Sequence, residues 1–258
     1  MYPIDLTGKY AMIFGVANHK SIAWAIAKTL KEAGASLIIT YQNERLKERV
    51  EKLCENWNDV LLLECDVTED ENIAEVFEKV KEKTSALSIL VHSIAFALRE
   101  DLGGDFSATS KEGFRTALDI SAYSLIPITR YAAPLMKHNQ GSIIALTFIA
   151  SERVFPGYNI MGTAKAALEN EVKQLSSEFG QAGIRVNALS SGPLDTLAAR
   201  GIHGFLDMKH GYSERAPLRR NNTHEEVAKA ALFLSSDLAS GITGVILPVD
   251  AGYHIMAV

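Results

Sequence analysis

The sequence predicts an α/β protein built on a doubly wound, seven-stranded parallel sheet. Short apolar runs alternate with helix-length amphipathic segments along the whole chain, and several of the runs are apolar on both faces. Strands of a parallel sheet are covered by helices on both sides, so they lack the alternation of a half-exposed strand. The candidate strands are 10–15, 35–41, 60–65, 87–92, 141–147, 184–189 and 244–249.

The segments between these runs are long enough for the helices that connect parallel strands. Gly34 follows the first of them and Gly180 the fifth, as expected at helix ends, and residues Thr223 to Glu226 resemble an N-terminal capping box. Pro134 lies inside the fourth segment and predicts a kink or an early end there. The candidate helices are 21–33, 44–56, 73–83, 111–137, 158–179 and 223–235.

One segment, 193–217, interrupts this alternation. It contains three glycines and two histidines and has neither a helical nor a strand period. An irregular stretch of this length in a compact domain is usually a lid or a substrate loop, and it follows a strand end, where open α/β sheets bind ligands. The alternative is a surface excursion that carries one short helix.

Length and charge limit the class of protein. The 258 residues could form one domain or two, but no Pro/Gly/Ser-rich linker or repeat divides them, which predicts a single domain over 1–258. The net charge is −5, from 26 basic and 31 acidic residues that are interspersed along the chain. This balance disfavours a nucleic-acid partner, which requires a basic surface.

The cysteines and the start of the chain predict a cytoplasmic protein. Cys54 and Cys65 have no metal-ligand spacing and are interpreted as free thiols in a reducing compartment. The first residues lack a signal-peptide pattern, and no apolar run approaches the length of a membrane span. The seven histidines form no ligand spacing, so we expect no metal.

Gly15 and Ser21 are the first candidates for binding a dinucleotide. Gly15 permits a tight turn after the first strand, and Ser21 precedes a helix whose positive end can receive a diphosphate. The three-glycine dinucleotide fingerprint is absent, however. A turn glycine followed by a serine N-cap is therefore at least as good an interpretation of this segment alone.

The ends of the second and third strands offer further candidates. Gln42 stands where NAD-binding units often have an acid and NADP-binding units a base, and a neutral amide there favours NADH. Arg45 and Lys47 nearby qualify this preference, although solvated helix residues are the favoured interpretation of both. Asp66 with Val67 offers a carboxylate near the expected adenine position, or else simply opens a turn.

Tyr158 and Lys165 form the strongest local signal. They are seven residues apart on a predicted helix, which places both side chains on one face. A neighbouring cation favours the phenolate or strengthens the phenol as a hydrogen-bond donor. Such a pair suits the oxygen charge that develops during hydride transfer. The spacing is common by chance, but its position after a βα unit favours the functional interpretation over a structural tyrosine with a surface lysine.

Several motifs together carry a resemblance to a known family. They are the glycine turn at Gly15, Ser21-Ile-Ala, Asp66-Val67, His92-Ser-Ile-Ala-Phe-Ala97, Tyr158-Asn-Ile-Met-Gly with Lys165, Arg185-Val-Asn-Ala-Leu-Ser-Ser-Gly-Pro193, and Thr196-Leu-Ala. The chain resembles a short-chain dehydrogenase/reductase. Within that superfamily it is similar to the bacterial NADH-dependent enoyl-[acyl-carrier-protein] reductases, over about residues 5 to 255. The resemblance implies a Rossmann-type fold and NADH as cofactor.

The resemblance also implies roles for individual residues. Lys165 would bind the nicotinamide ribose, and Tyr158 would hydrogen-bond the thioester carbonyl of a trans-2-enoyl group, which is reduced at C3. Ala97 would line the acyl site beneath a mobile lid near 195–212. The residues implied to contact the dinucleotide are Gly15, Ser21, Ile22, Gln42, Asp66, Val67, Ile94, Leu194, Asp195, Thr196, Leu197 and Ala198.

The implied partners are an acidic acyl carrier protein and further copies of this chain. With a net charge of −5, docking of the carrier protein requires a local basic patch. A homotetramer is implied, with the helices around 111–137 and 158–179 packed across subunits. The basic residues that could form the patch are Arg200, Lys209, Arg219 and Arg220.

Two positions depart from the pattern of this family. Phe148 stands where a second, outer tyrosine is usual, so it keeps an apolar ring at the catalytic site and lacks the hydroxyl. Asp195 stands where an arginine is usual, and an acid beside a diphosphate is unfavourable. Phe148 leaves open a reductase acting on another enoyl or keto substrate. Asp195 leaves open a catalytically weakened nucleotide-binding paralogue, against which the intact Tyr158 and Lys165 argue.

Overall fold

The computed structural model describes residues 4–137, 140–202 and 204–257. Its seven strands form one sheet in which all neighbouring strands are parallel. They are β1 (Tyr10–Phe14), β2 (Ser36–Tyr41), β3 (Leu61–Glu64), β4 (Leu87–His92), β5 (Ser142–Thr147), β6 (Arg185–Ser191) and β7 (Ile246–Val249). The spatial order is β3-β2-β1-β4-β5-β6-β7. The predicted doubly wound sheet is confirmed, and the strand order reverses between β1 and β4.

Helices cover both faces of the sheet. Those in the described residues are α1 (Ile22–Glu32), α2 (Glu44–Cys54), α3 (Asp70–Lys83), α4 (Lys111–Leu118), α5 (Leu125–Met136), α6 (Ile160–Phe179), α7 (Phe205–Arg215) and α8 (His224–Ser235). The predicted capping box begins α8, because the Thr223 hydroxyl accepts from Glu226 N and Thr223 N donates to the Glu226 carboxylate. Gly34 follows α1 with a φ of +98°, as expected of a helix-ending glycine.

Two apolar cores lie on opposite faces of the sheet, which explains why its strands are apolar on both sides. In β1, Ala11 and Ile13 pack into the core that α1, α2 and α8 cover, whereas Met12 and Phe14 pack into the core under α3, α5 and α6. All four side chains are essentially fully buried. The central strand thus has no solvent-facing side, as the sequence pattern predicted.

The fourth predicted helix, 111–137, is interrupted at a different place from the one expected. A π-helical turn over Asp119–Tyr123 separates α4 from α5. Pro134 lies within α5, which ends two residues later at Met136. The predicted break at Pro134 is therefore only a slightly early end, because a proline in the last turn disrupts few helical hydrogen bonds.

The segment 193–217 is less irregular than predicted, since α7 occupies 11 of its residues. This helix has no apolar stripe: Tyr212 is its one buried residue, and Gly211 lies in its interior. Helical periodicity was absent from the sequence because most of α7 faces solvent. The one helix that the alternative interpretation expects is therefore present in this segment.

Candidate active site

A cavity of about 680 Å³ opens at the carboxyl ends of β1, β4, β5 and β6, at the point where the strand order reverses. Ligands of open α/β sheets bind at this place because the loops that leave diverging strands form a crevice. Nearly all predicted site residues line this one cavity. They are Gly15, Ser21, Ile22, Gln42, Asp66, Val67, Ile94, Ala97, Phe148, Tyr158, Lys165, Leu194, Thr196, Leu197 and Ala198.

Gly15 is required by the close approach of the loops after β1 and β4. Its φ is +94°, and a Cβ at this position would overlap the carbonyl oxygen of Ser93. The Ser21 hydroxyl accepts hydrogen bonds from the backbone N–H groups of Ala17, at 3.0 Å, and Asn18, at 3.1 Å. Ser21 thus closes the loop before α1 and does not cap the helix, so the free N–H groups at the start of α1 can serve a ligand.

The far end of the cavity combines polar groups suited to an adenosine. Gln42 and Asp66 both line it. The Oδ1 atom of Asp66 also accepts from Thr68 N and Thr68 Oγ1, at 3.0 and 2.8 Å, so Asp66 opens a turn as well. Of the two basic residues nearby, Lys47 pairs with Glu44 at 3.1 Å, whereas Arg45 lines the cavity. Arg45 is therefore a candidate site residue, although the sequence favoured its interpretation as a solvated helix residue.

Lys165 is held inside the protein as a buried amine. Only 4% of the residue is exposed, and its Nζ donates to the carbonyl oxygen of Leu146 at 2.7 Å. Burial lowers the pKa of Lys165 to about 8, and the charge of Glu169, one helical turn away, opposes this shift. Glu169 is itself buried and accepts from the Thr147 hydroxyl at 2.7 Å.

Tyr158 stands at the start of α6, on the same wall of the cavity. Burial raises its pKa above that of a free phenol. Its hydroxyl is therefore protonated near neutral pH and acts as a hydrogen-bond donor. Of the two forms that the sequence left open, the structure supports the neutral phenol over the phenolate.

His92, at the end of β4, is a structural residue and not an acid or base. It is fully buried, and both burial and the nearby charge of Lys165 lower its pKa to about 3. Its Nε2 lies 2.8 Å from the Ser124 Oγ. Because that hydroxyl donates to the carbonyl oxygen of Ile120, Nε2 is assigned as the protonated nitrogen and donates to Oγ.

Phe148 forms an aromatic wall beside Tyr158. The centroids of the two rings are 5.1 Å apart, and the ring of Phe155 also packs against Phe148, at 5.0 Å. Tyr212 of α7 completes the cluster, 6.4 Å from Phe148, and stacks on Tyr253. The ring of Phe148 thus has a defined packing role in the absence of a hydroxyl, and the cluster connects this wall to the segment that contains α7.

Asp195 is not among the residues that line the cavity. Its Oδ2 accepts from Lys20 Nζ at 2.7 Å, and Arg200 Nε is 3.9 Å from its Oδ1. The hydrogen bond from Lys20 lowers the pKa of Asp195 and keeps it ionised. This ion pair neutralises the acid that the sequence placed beside the diphosphate, and it joins the loop after β1 to the segment after β6.

We expect an Asp195→Asn variant to bind NADH almost normally. Because its charge is compensated by Lys20 and both side chains are partly exposed, its removal should change KM for NADH by less than about fivefold. Steady-state kinetics with varied NADH checks this. A change of more than about 20-fold in either direction would contradict the assignment of Asp195 to a neutralised pair.

We expect Glu169 to set the alkaline limit of activity. The ammonium of Lys165 is lost as the pH rises through its pKa of about 8, so kcat/KM for NADH should fall on the alkaline side of the pH profile. A Glu169→Gln variant keeps an acceptor for Thr147 but removes the charge that raises the pKa of Lys165. Its alkaline limb should lie at lower pH. An alkaline limb of the pH profile that stays at the same pH, or moves to higher pH, would exclude this role for Glu169.

Two further properties bear on ligands. Within the described residues, no three His, Cys, Asp or Glu side chains come together in a way that could hold a metal ion. In the same ranges, every helix is too short or too polar to cross a bilayer.

The fold and the cavity together define a class of protein. A doubly wound sheet with a cavity at its switch point and a glycine at the first turn, together with a tyrosine just before α6 and a buried lysine seven residues later, is typical of nucleotide-dependent oxidoreductases of the short-chain type. The family described as enoyl-(acyl carrier protein) reductase matches residues 15–254.

Individual relatives agree with this match. The enoyl-[acyl-carrier-protein] reductase [NADH] of a Nostoc species is 51% identical over 256 residues, which cover 98% of this chain and 99% of the relative. The enzyme of the same name from Bacillus cereus is 48% identical, over 97% of this chain and 98% of the relative. The chain therefore belongs to the enoyl-[acyl-carrier-protein] reductase family.

Solved structures are similar throughout. A Bacillus cereus enoyl-acyl carrier protein reductase with NADP⁺ and indole naphthyridinone aligns with a TM-score of 0.95 at 48% identity, over 98% of this chain and 99% of that one. The enzyme of Anaplasma phagocytophilum in complex with NAD aligns with a TM-score of 0.94 at 42% identity, over 98% and 96%. The Rossmann-type fold expected from the resemblance is thereby confirmed.

Proposed function

We propose that this protein reduces the C2–C3 double bond of a trans-2-enoyl thioester on acyl carrier protein, with NADH as the hydride donor, as a step of fatty-acid synthesis. One observation carries the proposal: a single cavity is lined by the candidate dinucleotide residues, by Tyr158 and the buried Lys165, and by the apolar wall of Phe148. The relatives named NADH-dependent reductases, which match over nearly the full length, support it.

The residues that line the cavity suit a nicotinamide dinucleotide. The N-terminus of α1 offers its positive end to a diphosphate, and Gln42 and Asp66 stand where the adenosine would lie. When bound, NADH supplies the hydride that reduces C3 of the enoyl group. The residues proposed to hold it are Gly15, Ser21, Ile22, Gln42, Asp66, Val67, Ile94, Lys165 and the segment 194–198.

Tyr158 is proposed to hydrogen-bond the thioester carbonyl oxygen. Reduction at C3 builds negative charge on this oxygen, and a donor fixed in advance stabilises that charge. Because burial raises its pKa, Tyr158 retains its proton until the charge develops. Lys165 is proposed to bind the nicotinamide ribose, and the carbonyl of Leu146 holds its amine in position. Protonation of C2 then gives the saturated acyl thioester.

The acyl chain is proposed to lie against Ala97 and Phe148, beneath residues 195–212 as a lid. Leu197 and Leu206 of this segment expose much of their apolar surface, which suits a cover that contacts an acyl group.

Phe148 also favours a second candidate function, a reductase for another enoyl or keto thioester, because it removes a hydroxyl from the substrate side. The third possibility, a weakened nucleotide-binding paralogue, was based on the unfavourable charge of Asp195. Because Lys20 pairs with Asp195, that charge no longer argues for it.

Docking of the acidic carrier protein is assigned to Arg200 and Lys209. The other two basic residues of the expected patch have closer partners: Arg220 pairs with both oxygens of Glu226, and Arg219 donates to the carbonyl oxygen of Glu214. The acidic partner of Arg200, Asp195, is 3.9 Å away and is shared with Lys20. Arg200 and Lys209 are close enough to Asp195, at the start of the proposed lid, to affect its pKa. Steering by a local patch is compatible with an acidic protein as a whole.

A homotetramer in the cytoplasm completes the proposal. A surface groove of about 610 Å³ runs between α4, the π-helical turn and α6, and Phe114 and Tyr123 are partly exposed along it. This is the helical surface expected to pack against another subunit. Cys54 and Cys65 are free and buried, which suits a reducing compartment.

The test of the proposed reaction is a comparison of substrates. Oxidation of NADH is followed with a trans-2-enoyl thioester and with a 3-oxoacyl thioester as substrate. Both assays are repeated with NADPH in place of NADH. We expect the highest kcat/KM for the enoyl thioester with NADH. Turnover of only the 3-oxoacyl thioester would favour the second candidate, and no turnover of the enoyl substrate with either cofactor would refute the proposal.

A further inference from the structure

Asn159, which directly follows Tyr158, has an unusual backbone conformation. Its φ is +36° and its ψ is −120°, at the N-cap position of α6. Four non-glycine residues in the described ranges have a positive φ, and Asn159 is the one adjacent to the proposed catalytic pair. A residue with a side chain adopts such a conformation at an energetic cost, which the surrounding structure must offset.

The side chain of Asn159 does not cap the helix, although asparagine is a favourable N-cap residue. Its Nδ2 donates instead to two carbonyl oxygens, those of Gly103 at 2.8 Å and Gly104 at 3.2 Å. Both glycines have positive φ values, +135° and +65°, so this loop adopts a conformation that side chains disfavour. Two consecutive carbonyl groups are thereby directed at one amide.

The loop bound by Asn159 forms part of the cavity wall. Leu102, immediately before the two glycines, lines the cavity and packs in the same small apolar cluster as Ala97 and Tyr158. The loop is held at its other end by Asp101, which accepts from the backbone N–H of Ser110 at 2.7 Å. Asn159 therefore supplies the attachment nearest the proposed acyl site.

The turn that presents Tyr158 is also closely restrained. Tyr158 N donates to the carbonyl oxygen of Phe155 at 3.1 Å, and Gly162 N donates to that of Asn159 at 2.9 Å. A Cβ on Gly162 would lie 2.8 Å from the carbonyl oxygen of Ala150, so the first turn of α6 has little room to shift. The change of direction at Asn159 thus fixes where the side chain of Tyr158 leaves the backbone.

We propose that Asn159 is a positioning residue, which couples the phenol of Tyr158 to the 102–104 wall of the acyl site through its positive φ and its two amide hydrogen bonds. The inference rests on the proposed function, because it assigns the thioester to the space between these elements. It places the contribution of Asn159 in substrate alignment and not in cofactor binding. Misalignment of a reacting group by about 1 Å can cost up to about 100-fold in rate.

The test uses two substitutions in the full-length protein. Asn159→Gly permits the same backbone conformation and removes the amide, whereas Asn159→Asp keeps the shape and directs a carboxylate at the two carbonyl oxygens. For Asn159→Gly we expect kcat to fall about tenfold and KM for the enoyl thioester to rise, with KM for NADH within about twofold of the parent value. Asn159→Asp should lose more activity than Asn159→Gly.

Gln140→Gly is the matched control. Gln140 also has a positive φ, +51°, but it precedes β5 at the amino-terminal edge of the sheet, away from the cavity. Both glycine variants relieve a positive φ of a residue with a side chain, but only Asn159 is next to the cavity, so only Asn159→Gly should change the kinetics. Unchanged kinetics of Asn159→Gly, or an equal rise in both KM values, would overturn the proposal.

Amide hydrogen exchange makes the test independent of turnover. We expect Asn159→Gly to exchange faster than the parent protein both at 102–105 and at 156–161, while Gln140→Gly does not. If parent and variants alike fail to reduce the enoyl thioester, the proposed function fails, and the coupling is still judged by exchange. Unchanged exchange in both segments would overturn it.

Discussion

A Tyr158→Phe variant is expected to lose about 100- to 1,000-fold in kcat/KM for a trans-2-enoyl thioester and to keep its affinity for NADH. The substitution preserves the ring that packs against Phe148 and removes only the hydroxyl. Burial keeps this phenol protonated by raising its pKa, so it is a prepared donor for the thioester oxygen. Steady-state kinetics and an NADH titration measure the two quantities.

Tyr253→Phe is the matched control for this variant, because it removes a phenolic hydroxyl from the same aromatic cluster at a residue that does not line the cavity. It should change kcat/KM by less than about threefold. Phe148→Leu should cost less than Tyr158→Phe, since Phe148 contributes an apolar wall and no donor. Equal losses at Phe148 and Tyr158 would contradict the roles assigned to them.

A Lys165→Met variant is expected to lose at least about 100-fold in kcat/KM and to bind NADH more weakly. Methionine fills a similar volume and removes the ammonium that donates to the Leu146 carbonyl and is proposed to bind the nicotinamide ribose. NADH affinity and turnover are measured separately, so that a binding defect is distinguished from a chemical one.

Lys173→Met, an exposed lysine on the same helix, is the control for Lys165→Met and should behave as the parent protein. A Lys165→Met variant with normal NADH affinity and normal kcat/KM would exclude the proposed role. An equal loss of activity in Lys165→Met and Lys173→Met would indicate that α6 does not tolerate replacement of a lysine by methionine.

The sheet was predictable from the sequence because its strands are buried on both faces. The alternation of Met12 and Ile13 between two cores leaves no polar position, and such a run differs clearly from the flanking amphipathic helices. Helix α7 was not predictable in the same way. Tyr212 is its one buried residue, so its sequence carries no period that burial could impose.

The positions of the site residues followed from the topology, but their partners did not. Gly15, Gln42 and Asp66 each follow a strand, and parallel strands bring such residues to one edge of the sheet. The ion pair between Lys20 and Asp195 joins residues 175 positions apart, and nothing in their local sequence marks them as partners. This ion pair changed the interpretation of Asp195. The sequence alone placed it as an acid beside the diphosphate, whereas in the structure its charge is neutralised by Lys20.

The groups that adjust the proposed catalytic pair were only partly identifiable from the sequence. Glu169 lies one turn after Lys165, a spacing visible in the sequence, but only its burial and its bond with Thr147 identify it as a charge that acts on Lys165. Asn159 is separated by 56 residues from Gly103, to which it donates. A backbone conformation such as its positive φ has no signature in composition or periodicity.

The most direct measurement of the central claim follows the transferred hydrogen. The protein is incubated with a trans-2-enoyl thioester and NADH that carries deuterium at the transferable C4 position, and the product is analysed by mass spectrometry and NMR. We predict a saturated acyl thioester with one deuterium at C3 and a solvent-derived proton at C2. Deuterium on the carbonyl carbon, or no deuterium in the product, would contradict the account.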